Sequence, residues 1–360
     1  MGRAHNFNAG PSALPLEVLR RAQAELIDYQ GTGMSVMELS HRSETYEAIH
    51  RSAQDRLRRL LGVPDNYRVL FLQGGASLQF AMLPMNYLSR DAAAAYVLTG
   101  SWSEKAAQEA RRFGRVQLDS QAKEDGYKTI PEMLDGEALA GASYVHITSN
   151  NTIYGTQWHA FPTTQIPLVA DMSSDIMSHE VDVEQFHMIY AGAQKNLGPS
   201  GVTVVIVRDE WLQQANQDIP TMLQYGVHAK ADSLYNTPPT FAIYLMDLVL
   251  EWIEEQGGLT AIASRNAEKS GLIYSVIDEY PDLFDGHAAK SARSHMNVTF
   301  RLPSDEQSKE FLAQAKALGF VGVKGHRSVG GCRVSLYNAV PVESAARFAE
   351  FMRDYARKSR

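Results

Sequence analysis

A series of apolar runs, each about as long as a buried strand, recurs through the first part of this 360-residue chain. The runs read YRVLFLQ from Tyr67, AAYVLTG from Ala94, SYVHITS from Ser143, IPLVADM from Ile166, HMIYAGAQ from His187 and GVTVVIV from Gly201. Helical segments such as SWSEKAAQEARRFG separate several of them. This alternation predicts an α/β domain with a mostly parallel sheet flanked by helices.

The pattern changes after the helical segment TFAIYLMDLVLEWIEEQGG, which its two final glycines are expected to end. The remainder contains two strand-like segments, SHMNVTFRL and CRVSLYN, and two helical ones, DEQSKEFLAQAKALG and ESAARFAEFMRDYA. This mixture predicts a smaller α+β domain at the C-terminus. We expect a large domain over 16–258 and a small domain over 259–360, joined by an N-terminal segment, 1–15.

Charge and composition exclude several classes of partner. The formal net charge is −7, and no basic run interleaved with aromatic residues overrides it, so we expect no nucleic acid partner. No apolar stretch reaches the ~20 residues that span a bilayer, and the N-terminus lacks the apolar core of a signal peptide. A single cysteine, Cys332, permits neither an internal disulfide nor a paired-cysteine metal site. We therefore expect a cytoplasmic protein without a membrane partner or a metal.

Ligands of open α/β sheets bind at the carboxyl ends of the strands, so the loops that follow the apolar runs are the candidate site. After YRVLFLQ come Gly74 and Gly75, which permit a tight turn, and then Ala76 and Ser77, which are expected to open a helix. Backbone amides and a hydroxyl at a helix N-terminus suit a phosphate. By itself, the pair of glycines is equally compatible with a simple turn.

Two further loops offer groups for a planar ligand. Ser101 and Trp102 follow AAYVLTG, and the indole is suited to lie against a ring, although a capping serine and a core aromatic explain the pair equally well. The segment NNTIYGT follows SYVHITS and offers Thr152, which by itself reads as a loop residue.

Asp171 and Lys195 carry the strongest chemical signal. Both follow buried strands, and the separation of 195 − 171 = 24 residues fits one strand–connection–strand unit that brings them to the same sheet edge. Desolvation lowers the pKa of a buried lysine, which frees its amine to form a Schiff base with an aldehyde. An aspartate opposite can hold a protonated pyridine nitrogen, and this pair is what pyridoxal phosphate chemistry requires. A buried Asp–Lys salt bridge is the structural alternative.

Several long motifs resemble the phosphoserine aminotransferase family, which belongs to the fold-type I pyridoxal phosphate enzymes. They are NFNAGPSALP, MSVMELSHRS, ADMSSDI, YAGAQKNLGPSG, YNTPPTFAIY and KGHRSVGGCRVSLYN, and the resemblance extends from about Asn6 to the C-terminal helix. It implies pyridoxal 5′-phosphate as cofactor, a homodimer, and reversible transamination between O-phospho-L-serine and 2-oxoglutarate. The products are 3-phosphohydroxypyruvate and L-glutamate, in serine biosynthesis.

The resemblance also assigns residues. Lys195 would bind the cofactor covalently and shuttle a proton, Asp171 would hold the pyridinium, and Trp102 and Thr152 would contact the ring. The phosphate would be held by Ala76, Ser77 and Gln194, and by Asn236 and Thr237 of the other subunit. Some family members carry arginine where this chain has Ser77, so this site has one positive charge fewer.

Substrate recognition requires cations, since phosphoserine, glutamate and 2-oxoglutarate are all anionic. The resemblance assigns the α-carboxylate to Arg333, and the phosphate or distal carboxylate to His41, Arg42, His326 and Arg327, some of them across the dimer. For any one of these five residues, a solvated surface charge is the alternative.

Two other functions compete with this interpretation. Another fold-type I enzyme, such as a different aminotransferase or a cysteine desulfurase, would share the Asp–Lys pair, but a desulfurase needs a mobile reactive cysteine, and Cys332 lies in a predicted strand. A non-catalytic ligand-binding or scaffold protein with a buried Lys–Asp pair would have no visible chromophore.

Overall fold

The computed structural model describes residues 2–359. Its strands are β1 (His5–Asn6), β2 (Tyr67–Leu72), β3 (Ala93–Val97), β4 (Arg115–Asp119), β5 (Ala142–Thr148), β6 (Asn150–Asn151), β7 (Thr156–Gln157), β8 (Leu168–Asp171), β9 (Met188–Gly192), β10 (Thr203–Arg208), β11 (Asp285–Gly286), β12 (Asn297–Arg301), β13 (Phe320–Val321) and β14 (Cys332–Ser335). Its helices are α1 (Leu16–Glu25), α2 (Glu44–Leu61), α3 (Gly75–Tyr87), α4 (Ser101–Ala110), α5 (Gln121–Glu124), α6 (Gly136–Leu139), α7 (Asp209–Leu212), α8 (Tyr225–Lys230), α9 (Thr240–Glu255), α10 (Gly258–Glu279), α11 (Asp305–Ala317) and α12 (Val342–Lys358). Short 3₁₀ turns occupy Val36–Glu38, Val183–Gln185, Thr221–Leu223 and Lys290–Ala292.

The large sheet has seven strands in the order β2-β10-β9-β8-β5-β3-β4. Strand β10 is antiparallel to both of its neighbours, and the other pairings are parallel, so six strands run in one direction. The predicted parallel α/β sheet is confirmed, with β10 as an exception that its uniformly apolar sequence does not reveal.

Helices cover both faces of the large sheet, which explains why its central strands are mostly apolar. Alternate side chains of β2 show this directly: Val69 and Phe71 join the core under α2 and α9, whereas Leu70 and Leu72 join the core under α3 and α4. Strand β4 lies at the sheet edge and is only partly buried, and its mixed sequence RVQLD lacks the apolar run that predicts a buried strand.

A second core belongs to the C-terminal part of the chain. It is built on the three-stranded sheet β11-β12-β14 and the helices α10, α11 and α12. The N-terminal segment joins this core, because β1 pairs with β13 and Phe7 is fully buried there. The predicted smaller α+β region is therefore present as a separate sheet.

Helix α10 contacts both cores. Leu259 and Ile262 in its first turns pack in the large core, whereas Ile273 and Val276 pack in the small one. The boundary at 258 stays a prediction. Within residues 2–359, no helix combines the length and the apolar composition that crossing a membrane requires.

Candidate active site

Strands β2, β3, β5, β8 and β9 run in the same direction, so the loops after them meet at one edge of the sheet. A cavity of about 460 Å³ lies there, bounded on its other side by the N-terminal segment and the C-terminal region. The predicted site residues that line it are Ala76, Ser77, Trp102, Thr152, Asp171, Gln194, Lys195, His326 and Arg333.

The loop after β2 forms the anion-binding end of this cavity. Gly74 precedes α3 with φ of 89°, and a Cβ there would lie 2.6 Å from the Cβ of Leu78, so only glycine fits without strain. No side chain caps the helix. Ala76 and Ser77 in the first turn line the cavity, and the N–H groups of a helix's first turn have no acceptor within the helix, which suits a phosphate.

Lys195 lies in the turn after β9, and the N-terminal segment holds its backbone. The Ser12 hydroxyl donates to the carbonyl oxygen of Lys195 at 2.6 Å, and the Ser12 N–H donates to that of Gln194 at 3.0 Å. Gly10 passes close beside the lysine stem, since a Cβ at this glycine would lie 3.4 Å from Cγ of Lys195. These contacts hold the backbone and the stem of Lys195 in place.

The Lys195 amine donates to Oγ1 of Thr152 at 2.8 Å. Burial is the main influence on its pKa, which falls to about 8; Arg333 lowers it further, while Asp171 and Asp175 oppose the shift. The lysine is nevertheless accessible from the cavity, which it lines. A larger fraction of neutral amine at neutral pH favours attack on a carbonyl carbon.

Asp171 is the last residue of β8 and is only 5% exposed. The backbone N–H and the hydroxyl of Ser173 both donate to its Oδ1, at 2.9 and 2.6 Å. Burial raises the pKa of Asp171, and the Ser173 hydrogen bonds and the charge of Lys195 act against that rise. A carboxylate fixed in this way is suited to pair with a protonated ring nitrogen.

Several buried polar atoms around the cavity have no partner in the protein: Nε1 of Trp102, Oγ1 of Thr148 and Nε of Arg333. Unpaired polar groups are rare in protein interiors, because each one is costly to leave without a hydrogen bond. A polar ligand in the cavity would explain their arrangement.

The remaining predicted residues lie outside this cavity. His41 and Arg42 occupy the segment before α2, and Arg327 is exposed beside His326. Asn236 lines a different, small cavity, and the Gln73 side chain donates to the carbonyl oxygen of Thr237 at 3.3 Å. One chain therefore brings together seven of the nine predicted cofactor residues and two of the five cationic ones.

Sequence reasoning missed several residues that shape the site. Ser173 and Ser12 stand in the quoted motifs ADMSSDI and NFNAGPSALP, and Thr148 stands near the end of the apolar run SYVHITS. None of these positions indicates which group the side chain contacts. Their positions depend on how β5 and the N-terminal segment meet the lysine loop.

Comparisons with known proteins agree with this geometry. Residues 4–348 match the family model of class-V aminotransferases. A phosphoserine aminotransferase of Geobacillus kaustophilus is 60% identical over 358 residues, covering 99% of each chain. That of Bacillus subtilis is 56% identical over 359 residues, covering 100% of both.

Solved structures of phosphoserine aminotransferases are also similar to this chain. Phosphoserine aminotransferase from Bacillus circulans subsp. alkalophilus has a TM-score of 0.95 at 53% identity and covers 99% of each chain. The PLP-bound enzyme of Trichomonas vaginalis has a TM-score of 0.90 at 38% identity, covering 98% of this chain and 100% of that one. The chain belongs to the phosphoserine aminotransferase family, within the class-V aminotransferases.

Proposed function

We propose that this chain catalyses reversible transamination between O-phospho-L-serine and 2-oxoglutarate, giving 3-phosphohydroxypyruvate and L-glutamate, with pyridoxal phosphate as cofactor and serine biosynthesis as its role. The observation that carries this proposal is the presence of Lys195, Asp171 and Arg333 in one cavity. Relatives at 60% and 56% identity that carry this activity in their names support it.

The residues around the cavity fit pyridoxal phosphate. The N-terminus of α3, with Ala76 and Ser77, and the side chain of Gln194 would hold the phosphate, and the indole of Trp102 would cover the ring. Thr152, whose hydroxyl oxygen accepts from the Lys195 amine at 2.8 Å, would contact the ring's phenolic oxygen. The unpaired atoms of Trp102 and Thr148 support a ligand at this position.

The bound cofactor supplies an electron-withdrawing ring that stabilises negative charge at the substrate α carbon. Lys195 would hold the cofactor by its aldehyde, and its amine, when free, would carry the α proton between substrate and cofactor. The Asp171 carboxylate, held by Ser173, would keep the ring nitrogen protonated. In the second half-reaction the same groups act in reverse.

Arg333 would bind the substrate α-carboxylate, with His326 beside it for the distal anion. The Arg333 guanidinium donates to the Thr152 carbonyl oxygen at 3.3 Å and leaves its Nε without a protein partner. A charge-assisted hydrogen bond of this kind contributes about 1.5–3 kcal/mol. The selection of acidic substrates follows from these cations.

The predicted site residues that lie outside the cavity support a homodimer. His41, Arg42, Arg327, Asn236 and Thr237 would complete the cavity of a second copy or be completed by it. Exposed apolar side chains flank them in sequence. Leu26, Ile27, Met34 and Met37 precede His41, and Met222 and Tyr235 precede Asn236. Ile27 is 85% exposed, which is unusual for an isoleucine that stays in water.

The proposed location is the cytoplasm, where an unpaired thiol such as that of Cys332 stays reduced. The cysteine desulfurase alternative finds little support, because Cys332 is fully buried in β14 and burial raises the pKa of its thiol to about 12. A reactive cysteine needs accessibility and a low pKa.

Visible absorption of the purified protein loaded with pyridoxal phosphate tests the proposal. We expect a yellow band that bleaches on addition of O-phosphoserine and returns with 2-oxoglutarate. A band that ignores phosphoserine but responds to another amino acid would refute the substrate assignment and leave the cofactor in place. A protein that gains no band at all would refute the cofactor assignment as well.

A further inference from the structure

A second carboxyl group, that of Asp175, is buried behind Asp171 and plays no part in the function proposed above. Asp175 is 1% exposed and does not line the cofactor cavity. It lies in the turn that follows β8, where its N–H donates to the Met172 carbonyl oxygen at 3.2 Å. A buried carboxyl group in this position needs an explanation, since an unpaired charge there is costly.

The two oxygens of Asp175 have different neighbours. Oδ2 accepts from the amide nitrogen of Gln157 at 3.3 Å. The orientation of that amide is fixed, because its oxygen accepts the backbone N–H of His295 at 2.9 Å, and an N–H only donates. Oδ2 therefore faces a donor and acts as an acceptor. Any proton on Asp175 must be on Oδ1.

Oδ1 contacts the hydroxyl of Ser149, which is itself fully buried. The same hydroxyl lies 3.0 Å from the carbonyl oxygen of Asp171, and that oxygen also accepts the Ser149 N–H at 3.0 Å. A serine hydroxyl has one hydrogen and cannot donate to both oxygens. A proton on Oδ1 resolves the conflict, because Asp175 then donates to Ser149, and Ser149 donates to Asp171.

The charges around Asp175 favour the same protonation state. Burial is the main cause that raises its pKa, to about 7, and the neighbouring Asp171 carboxylate adds to the rise. The hydrogen bonds from Ser149 and Gln157 and the charge of Lys195 act in the opposite direction. Burial raises the pKa of the Tyr337 phenol, and the charge of Asp175 adds to that rise. Two carboxyl groups that share a site cannot both ionise easily.

We propose that Asp175 is a positioning residue held as a neutral acid, which donates through Ser149 to the Asp171 carbonyl and leaves Asp171 as the carboxylate that faces the cofactor ring. This inference rests on the proposed function, since it concerns the same cofactor site. The neutral acid fixes the end of β8 from which the Asp171 side chain projects. It also avoids a second negative charge beside the carboxylate that pairs with the ring nitrogen.

Infrared difference spectroscopy of the cofactor-loaded protein tests the protonation state. The spectrum of Asp175→Asn is subtracted from that of the wild type, with and without ¹³C-labelled aspartate, about one pH unit below the pKa of Asp175. We expect a protonated-carboxyl C=O band that shifts with the label. A carboxylate band in its place would overturn the proposal.

A pair of variants tests the positioning role. Asparagine reproduces the neutral acid, because its amide donates to Ser149 and its oxygen accepts from Gln157. Asp175→Ala removes both contacts. We expect alanine to weaken cofactor binding roughly tenfold and asparagine to restore it to within about twofold, as measured by fluorescence titration of the cofactor-depleted chain. Equal affinities for the wild type and the alanine variant, or an asparagine variant as weak as alanine, would overturn the positioning role.

The infrared band reports Asp175 whether or not phosphoserine bleaches the visible band. A protein with the protonated band but no response to phosphoserine would refute the substrate assignment and leave the protonation state of Asp175 established. A carboxylate band in a protein that responds to phosphoserine would refute the role of Asp175 alone.

Discussion

Two lysines of this chain are withdrawn from water and have lowered pKa values, but their surroundings differ. The pKa falls to about 8 for Lys195 and to about 7 for Lys269, with burial as the main cause in both. Lys269 is in α10, is 1% exposed, and donates to the carbonyl oxygens of Leu336 and Tyr337 at 2.8 and 2.7 Å. Both lysines also line cavities, of about 460 and 500 Å³.

What separates the two lysines is the chemistry around the amine. Lys195 lies near two aspartates and contacts a hydroxyl, at the edge where five strand ends and a helix N-terminus meet. In the described part of the chain, the charged group that influences Lys269 is Arg265, and its amine is held by carbonyls. A perturbed pKa alone therefore does not identify a reactive group. A reactive group is identified by several neighbouring groups that can act on the same ligand.

Substituting each lysine in turn tests whether Lys195, and not Lys269, carries the chemistry. Lys195→Ala should abolish the yellow chromophore and reduce transaminase activity by 10⁴-fold or more, roughly the upper range for proton transfer by a side chain. Lys269→Met is the matched control and should keep the chromophore. Absorption spectra and turnover of both variants give the answer. A yellow, active Lys195→Ala protein would remove the basis for distinguishing the two sites.

The carboxylate opposite Lys195 is the next element to test. Asp171→Asn removes the negative charge that would hold the ring nitrogen protonated, and we expect turnover to fall on the order of 10²–10³-fold. Asp247→Asn is a suitable control, because Asp247 is also buried, with a pKa raised to about 6, but it pairs with Arg56 at 3.1 Å away from the cavity. Steady-state turnover of the two variants should differ. Equal losses would indicate that any buried carboxyl in this domain matters for folding alone.

Lys269 should matter for stability, with a pH dependence of definite sign. Its pKa falls from 10.5 to about 7 in the folded chain, so the unfolded chain binds more protons between these values, and stability rises with pH across that window. Lys269→Met should abolish this rise. It should also lower the free energy of unfolding by about 1–3 kcal/mol, because two carbonyls lose their donor.

Urea unfolding at pH values within and below the window measures both effects. Lys316→Met is the matched control, since Lys316 is exposed at the end of α11 and its replacement should leave both quantities unchanged. A Lys269→Met protein that keeps the pH-dependent rise would show that another group causes it.

The sequence was informative for Lys195 and uninformative for Lys269, for a physical reason. Lys195 and Asp171 follow apolar runs, and parallel strands carry such residues to a common edge. Lys269 stands in the helical segment RNAEKSG, where a lysine is ordinarily solvated, and its burial results from packing against the end of β14. Contacts between distant segments, such as that of Ser149 with Asp175, leave no local pattern in the sequence either.

The sequence also predicts some features of the fold and not others. Strand positions followed from apolar runs, but the reversed direction of β10 did not, since an apolar run reads the same in either orientation. The cationic residues assigned through family resemblance divide between the cavity and the surface: Arg333 and His326 line the cavity, whereas His41 and Arg42 lie outside it. In the proposed homodimer, the residues outside the cavity would serve a site shared between subunits, and no pattern within a single sequence indicates such sharing.

The smallest expected effect concerns how each lysine's backbone is held. Lys269 is inside a helix, whereas Lys195 lies in a turn whose carbonyl oxygen accepts the Ser12 hydroxyl. Ser12→Ala removes one hydrogen bond, worth about 0.5–1.5 kcal/mol, and leaves the bond from the Ser12 N–H to Gln194. We expect turnover to fall by less than about tenfold, with the chromophore retained. Ser359→Ala provides the control, because it also removes a hydroxyl that donates to a carbonyl oxygen, that of Tyr355 at 2.9 Å, but outside the cavity. Loss of the chromophore in Ser12→Ala would contradict this expectation and would mean that the Ser12 contact is needed to position the amine. Lys195 would then depend on one side-chain contact for the rigidity that Lys269 obtains from its helix.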